Sequence, residues 1–410
     1  MLAYYNRERK PYTLGWVGLS CFFLLFFPSV TFDLLPDTEV APYAFLFSIA
    51  YLKNIDYRLL IFVFYLIVSS VISLAYNYEI NGIMYESIRS LAAFINPILI
   101  FFVLFSFDRR SLEKMWKISL YIFLFLFLLG LLQSLNVIDW AEDFFKFLVP
   151  KSSSIDLGIR GVTLLDIEPA RAGVSFLFIY ILVRTVYLKN KYLFISDLII
   201  GLYLLLIIES AMAFALYAAF FFIFHFKKTP YIILIFIFLL FPFLSGAESR
   251  TIMLIDVFFN LPFDEFLLVL VNSSGHRIFT MYAAPLYGLF NPFGGGVGNW
   301  QLSSQHAALL TEIDLTQLSY YRDLEHGRFS TFRGSGYIMN LFVEGGIVGV
   351  WLLLSAVIRK TYRFYKAHIR AKQVILIFFV KIFFIGSVGN PVAWVCTALS
   401  LLYIHYNHEV

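Results

Sequence analysis

The chain has 410 residues, of which 60% are hydrophobic and 14% charged, with a mean hydropathy of +0.80. A water-soluble domain cannot carry that much apolar surface without aggregating, so composition excludes a soluble enzyme and points to a polytopic membrane protein, with no nucleic acid as partner. The net charge of +4 says little until it is mapped by side.

Spans need roughly 20 mostly apolar residues, and by that measure the chain holds about twelve. Their expected limits are 13–34, 38–53, 59–76, 89–106, 117–135, 172–188, 192–209, 211–226, 230–246, 335–358, 373–389 and 392–406. The first is expected to be a retained span, since more runs of its kind follow it. The expected fold class is an all-α polytopic membrane protein with residues 1–410 as one transmembrane domain. Cys21 and Cys396 lie in apolar segments and form no CxxC pair, so neither a metal site nor a disulfide framework is suggested.

Basic residues set the orientation. Arg7, Arg9 and Lys10 precede span one, and Lys53 and Arg58 follow span two. Arg109, Arg110, Lys114 and Lys117 follow span four, Lys189 and Lys191 span six, and Lys227 and Lys228 span eight. Arg359, Lys360, Arg363, Lys366, Arg370 and Lys372 follow span ten. With twelve spans every cluster falls on one side, which the positive-inside rule makes cytoplasmic, and both termini lie there.

The opposite side carries short links (33–40, 76–87, 209–210, 389–391) and two long loops, a shorter one over 136–171 and a larger one over 247–334. Lysine is nearly absent from these loops, but Arg160, Arg171, Arg250, Arg277, Arg322, Arg328 and Arg333 are present. A guanidinium is an always-charged fork that grips phosphate through two parallel hydrogen bonds, whereas an ammonium is a point charge. The alternative is that these arginines pair with loop acids such as Glu248, Asp264, Glu312 and Asp323.

The shorter loop opens with an amphipathic pattern. Val137, Trp140, Ala141, Phe144, Phe145 and Leu148 share one helical face, which suits a helix lying in the headgroup plane and ended by Pro150. Stretch 252–271 of the larger loop is expected to lie on the membrane too. Lys381, expected at the middle of span eleven, and Glu344 in span ten are rare intramembrane charges, each either a partner within the bundle or a functional group. Asn96-Pro97 marks an expected kink.

Several sites are absent. No Gly-Lys-Ser/Thr follows a glycine-rich loop, no HExxH occurs, and Gly294 to Gly298 follows no strand of a βαβ unit. Those glycines read either as a flexible turn or as a close backbone approach to a sugar or phosphate. Asp37-Thr38-Glu39 is only a faint match to an acidic metal-binding pair.

Arg277 and Gly288 are spaced Arg-x10-Gly, and Pro292-Phe293-Gly294-Gly295-Gly296-Val297-Gly298 follows. Span ten then reads Asn340-Leu341-Phe342-Val343-Glu344-Gly345-Gly346-Ile347-Val348-Gly349. This combination resembles the O-antigen polymerase and ligase superfamily, with its arginine and Pro-x-x-Gly-x-Gly turn in a large outer loop and a span carrying Glu-x-Gly-x-x-Gly.

The resemblance implies a GT-C-like fold in the bacterial inner membrane, with a periplasmic active site and no metal or cofactor. The implied reaction moves a glycan from undecaprenyl diphosphate to a sugar hydroxyl. It implies Arg277, His276 and Glu168 as catalytic residues and Arg160, Arg171, Arg250, Arg277 and Arg333 as the diphosphate clamp. Trp300, Gly295 and Tyr321 are the candidate sugar contacts. The implied partners are undecaprenyl-diphosphate-linked oligosaccharide, membrane lipids and a chain-length regulator protein.

Two positions depart from the pattern. Ser335-Gly336 stands where ligases carry His-Asn, which favours a polymerase of lipid-linked repeats over a ligase that uses lipid A-core as acceptor. It also leaves the base open among His276, Glu168, His326 and Asp323. Ser210-Ala211 stands where relatives often carry Ser-Arg. A lipid-linked glycan transporter or flippase is the alternative from another class, and the long outer loops with few ionisable groups at the midplane argue against it.

Overall fold

The structure, a computed structural model, describes residues 56–76, 83–137, 161–226, 276–311 and 334–408, together with Leu25, Asn260, Pro262 and Val269; at 83, 276–278 and 408 it describes the backbone alone. The expected spans 13–34, 38–53 and 230–246, the amphipathic helix after Val137, Asp37-Thr38-Glu39 and nearly all of stretch 252–271 lie outside the described residues.

Every regular element among the described residues is helical. In chain order they are α1 (Tyr57–Tyr76), α2 (Ile83–Leu104), α3 (Arg109–Ser134), α4 (Pro169–Tyr187), α5 (Leu193–Tyr203) running into a π-helical turn (Leu204–Ile208), α6 (Ala211–His225), α7 (His276–Phe290), α8 (Trp300–Leu309), α9 (Tyr337–Ala367), α10 (Ile369–Phe384) and α11 (Val392–His408). Five of them, in α1, α2, α3, α4 and α9, are long and apolar enough to cross a membrane. The chain is therefore an α-helical, membrane-embedded protein.

Exposure follows that solvent. Leu60, Ile61, Phe64, Ile67, Val68 and Val71 of α1 are all exposed although large and apolar. Lipid accepts such a face at no cost, whereas water would not. By contrast α4 is buried all round from Ala172 to Arg184. Pro169 occupies its first turn, where a missing N–H is harmless.

The helix ends gather at two ends of the bundle. The lower end carries the contacts of Tyr57 with Arg359 and of Arg58 with the Ser355 carbonyl. The upper end carries Tyr76, Gly161, Glu209, Ser335 and Asn390. Helices α2, α9, α10 and α11 share a core of aromatic rings: Phe101 stacks on Phe378 at 5.8 Å, Trp394 meets Phe378 edge-on at 4.8 Å, and Tyr337 meets Phe94 at 5.3 Å.

Three expectations change. Helix α10 ends at Phe384 and not at 389, because Gly386 turns the chain at φ 86°. Lys381 consequently lies in the last turn of α10, not at mid-span. The segment after Gly275, expected as loop, forms α7, which runs through Pro285. Helices α2 and α3 also begin before their apolar limits, at Ile83 and Arg109, and α9 runs past its limit to Ala367, since backbone hydrogen bonding is not confined to the apolar run.

Candidate functional site

The glycine turn between α7 and α8 sits against a break in α9. Gly346 leaves helical geometry at φ 63° and ψ −172°, which opens the α9 backbone. The turn fills the gap. Gly295 N–H donates to the Val343 carbonyl at 2.9 Å, Gly296 N–H to the Glu344 carbonyl at 3.0 Å, and Val348 N–H to the Pro292 carbonyl at 3.1 Å. Gly298 N–H donates to Glu344 Oε2 at 2.7 Å. Tyr65 from α1 adds its hydroxyl to the Gly345 carbonyl at 2.6 Å.

The need for glycine follows from contact and dihedral angle together. Gly296 and Gly298 hold φ of 92° and 91°, and a Cβ at either would overlap Ser73 or Ser87 respectively. The close backbone approach expected of these glycines is therefore made to α9. Gly295 gives its N–H to that contact, and a Cβ there would meet Ser303. Glu344, fully buried, is a partner within the bundle.

Contacts run continuously along the upper end. The start of α7 reaches the start of α9, where a Cβ on Gly334 would stand 3.6 Å from Thr280 Cβ. Asn340 ties that start down by donating to the Gly334 and Gly336 carbonyls at 2.6 and 2.7 Å. Gly336 N–H donates to the Gly386 carbonyl at 2.8 Å. Asn390 then donates to Ser175 of α4 at 3.1 Å and caps Val392 N–H of α11 at 2.9 Å. Arg171 lies one turn before Ser175, and Arg277 one turn before Thr280.

The expected site residues fall in distinct places. His276 and Arg277 open α7. Glu168 is the N-cap of α4 and pairs with Arg171 at 3.5 Å, so this arginine has an acidic neighbour in its own loop, other than the acids named above. Trp300 opens α8 half-buried, its indole N–H donating to Glu86 Oε2 at 3.4 Å. Arg160, Arg250, Arg333 and Tyr321 lie outside the described residues, as do His326 and Asp323. What the upper end gathers is the starts of α2, α4, α6, α7, α9 and α11, and helix starts carry partial positive charge and unpaired N–H donors. With Arg171 and Arg277 among them, this end suits an anion.

A second polar cluster escaped the sequence reading. Asp197 of α5, fully buried, receives Arg184 of α4 through both Nε at 2.8 Å and Nη2 at 2.9 Å. His225 Nε2 of α6 lies 2.6 Å from Asp197 Oδ2, the Tyr180 hydroxyl donates to Oδ1, and Tyr217 donates to the Asp197 backbone carbonyl at 2.8 Å. Arg184 also lies 4.4 Å from the Phe224 ring. Every oxygen of Asp197 is satisfied, so the cluster ties α4, α5 and α6 together near the lower end. A sequence signal existed. Arg184 and Asp197 flank the short link after α4 at similar depth, one before it and one after.

Comparison of the chain with protein-family models, with curated proteins and with solved structures returned no match.

Proposed function

We propose that this chain is a polymerase of undecaprenyl-diphosphate-linked oligosaccharide repeats, O-antigen or capsule units, in the bacterial inner membrane. One observation carries the proposal: the two parts of the motif, separated by 46 positions, meet through the Gly298 N–H and the Glu344 carboxylate. That contact seats the turn in α9 and so fixes α7, which Arg277 opens. The contiguous starts of α9 and α11 connect it to α4, which carries Arg171.

In this reading the upper end faces the periplasm, about twelve spans place both termini in the cytoplasm, and the basic lower end follows the positive-inside rule. The donor glycan leaves its carrier, and the arginines together with the helix starts stabilise the negative charge that develops on the departing diphosphate. The anomeric carbon bonds to a hydroxyl of the next lipid-linked repeat, whose proton passes to a base. The clamp comprises Arg171 and Arg277, with Arg160, Arg250 and Arg333 as further members.

The test is reconstitution of the purified chain with lipid-linked repeats from the producing cells, in EDTA, with products resolved by size. A ladder of growing glycans that disappears in Arg277→Ala supports the polymerase. A single transfer that requires lipid A-core means a ligase. Activity abolished by EDTA and restored by Mg2+ or Mn2+ would overturn the arginine mechanism. No covalent product under any condition would move the assignment to a transporter.

A further inference from the structure

The link between α5 and α6 is built in an unusual way. Leu204 to Ile208 form a π-helical turn, and Glu209 N–H reaches back to the Leu204 carbonyl at 3.1 Å. Glu209 then adopts the left-handed conformation, φ 53° and ψ 37°, without being glycine. π turns and left-handed non-glycine residues both carry strain and both concentrate at functional sites. Two neighbours hold the strained residue in place. Ser210 caps α6 by accepting from Ala213 N–H at 3.3 Å. On the other side the backbone of 161–162 lies against the turn, with Val162 N–H donating to the Ile207 carbonyl at 3.2 Å. Gly161 is needed there, because a Cβ would strike the Ile208 carbonyl and Glu209 itself.

The position is at the upper end. Gly173 of α4 packs on Ile208 and Ala213, so Glu209 lies at the same end as the first turn of α4, which follows its N-cap Glu168 and carries Arg171. Other described carboxylates at this end are engaged. Glu86 pairs with Arg89 at 3.3 Å and receives Trp300, and Glu168 pairs with Arg171. Asp166 is buried and accepts from Ile167 N–H at 2.8 Å, and Glu344 accepts from Gly298. Glu209 is exposed and, among the described residues, makes no side-chain hydrogen bond or ion pair. A carboxylate held by arginine is a poor base, since the cation stabilises its charged form.

We propose that Glu209 is the general base of the glycosyl transfer. This rests on the polymerase reading. Its carboxylate takes the proton of the acceptor hydroxyl as that oxygen bonds to the anomeric carbon. The bond from the anomeric carbon to the diphosphate oxygen breaks, and the diphosphate leaves with the electron pair toward the arginines. Although the residue as a whole is exposed, partial desolvation at the link pushes the Glu209 carboxyl above the usual carboxylate range, a direction that strengthens it as a base.

The experiment uses the full chain in proteoliposomes with lipid-linked repeats from the producing cells, and follows the rate of ladder growth from pH 5 to 9. Glu209→Gln is expected to slow growth by about 10²–10⁴-fold and to remove the acidic limb of the pH profile, with KM for the lipid-linked repeat changed less than about threefold. Glu209→Ala is expected to regain part of its rate with added formate, a small carboxylate that a merely structural role would not respond to. A wild-type ladder with Glu209→Gln within threefold and the same acidic limb overturns the assignment of Glu209 while leaving the polymerase standing. No ladder from the wild-type chain overturns both.

Discussion

Gly298 donates its backbone N–H to Glu344 at 2.7 Å, with the acceptor carboxylate fully buried in a helix broken two residues later. The contact joins a loop to the interior of the bundle, so removing the carboxylate takes away the acceptor of the buried Gly298 N–H. Glu344→Ala is expected to lower stability by about 1–3 kcal/mol. Gly298→Ala, at φ 91° and against Ser87, is expected to cost about the same. Thermal unfolding in detergent checks both, and the double variant should lose less than the sum, because the two residues share one contact.

Tyr65 offers a graded control. Its hydroxyl holds the Gly345 carbonyl at 2.6 Å and approaches the Phe293 carbonyl at 3.2 Å. Tyr65→Phe removes only the hydroxyl and should cost about 0.5–1.5 kcal/mol. A loss larger than that of Glu344→Ala would show that the carboxylate is not the main tie.

The Asp197 cluster should behave as a buried charge network. Asp197→Leu alone leaves Arg184 without its carboxylate and is expected to destabilise by about 3–5 kcal/mol. Arg184→Met combined with Asp197→Leu should recover much of that loss, since no orphaned charge remains. The melting temperatures of the three proteins decide it, and additive losses would contradict the pairing.

Arg171 is asked to grip phosphate. Arg171→Lys keeps the charge and removes the fork, so ladder growth is expected to fall by about 10²–10³-fold. Melting temperature should change little by comparison, since a partly exposed pair such as Arg171 with Glu168 contributes only about 0–1 kcal/mol. Equal loss of folding and activity would make Arg171 structural.

Glu209 gives a pH dependence of stability with a defined sign. Its carboxyl is raised by partial desolvation at the link, so folding favours the protonated form. That contribution is fully present below the unfolded carboxyl range and is lost as pH rises through the raised folded value. Glu209→Gln should therefore match or exceed the wild type in melting temperature at pH 7, with the difference shrinking on acidification. A variant less stable at pH 7 would show that the charged form is held by a partner.

Much of the bundle could be read from hydropathy alone. The helices from Tyr57, Pro169, Ala211 and Val392 begin within three residues of the apolar limits, because in lipid a backbone must bond within its own segment. Helix ends that depend on one glycine could not be read so well: Gly386 stops α10 early and moves Lys381 to its last turn. The pairing of the glycine turn with Glu344 was half legible. Both motifs were visible, but nothing in a linear pattern says that one fills a break in the other. The strain at Glu209 left no trace, since a π turn has the same apolar composition as the helix it interrupts.

Asp197 and Glu209 lie near opposite ends of one helical rod, a tied end and a strained end, about 18 Å apart at the usual helical rise. The rod is held along its length as well: Tyr203, half-way up, donates its hydroxyl to the Leu126 carbonyl at 3.2 Å, and Val162 N–H donates to the Ile207 carbonyl beside Glu209. Three ties on one rod fix the height of Glu209 above the buried Asp197 knot.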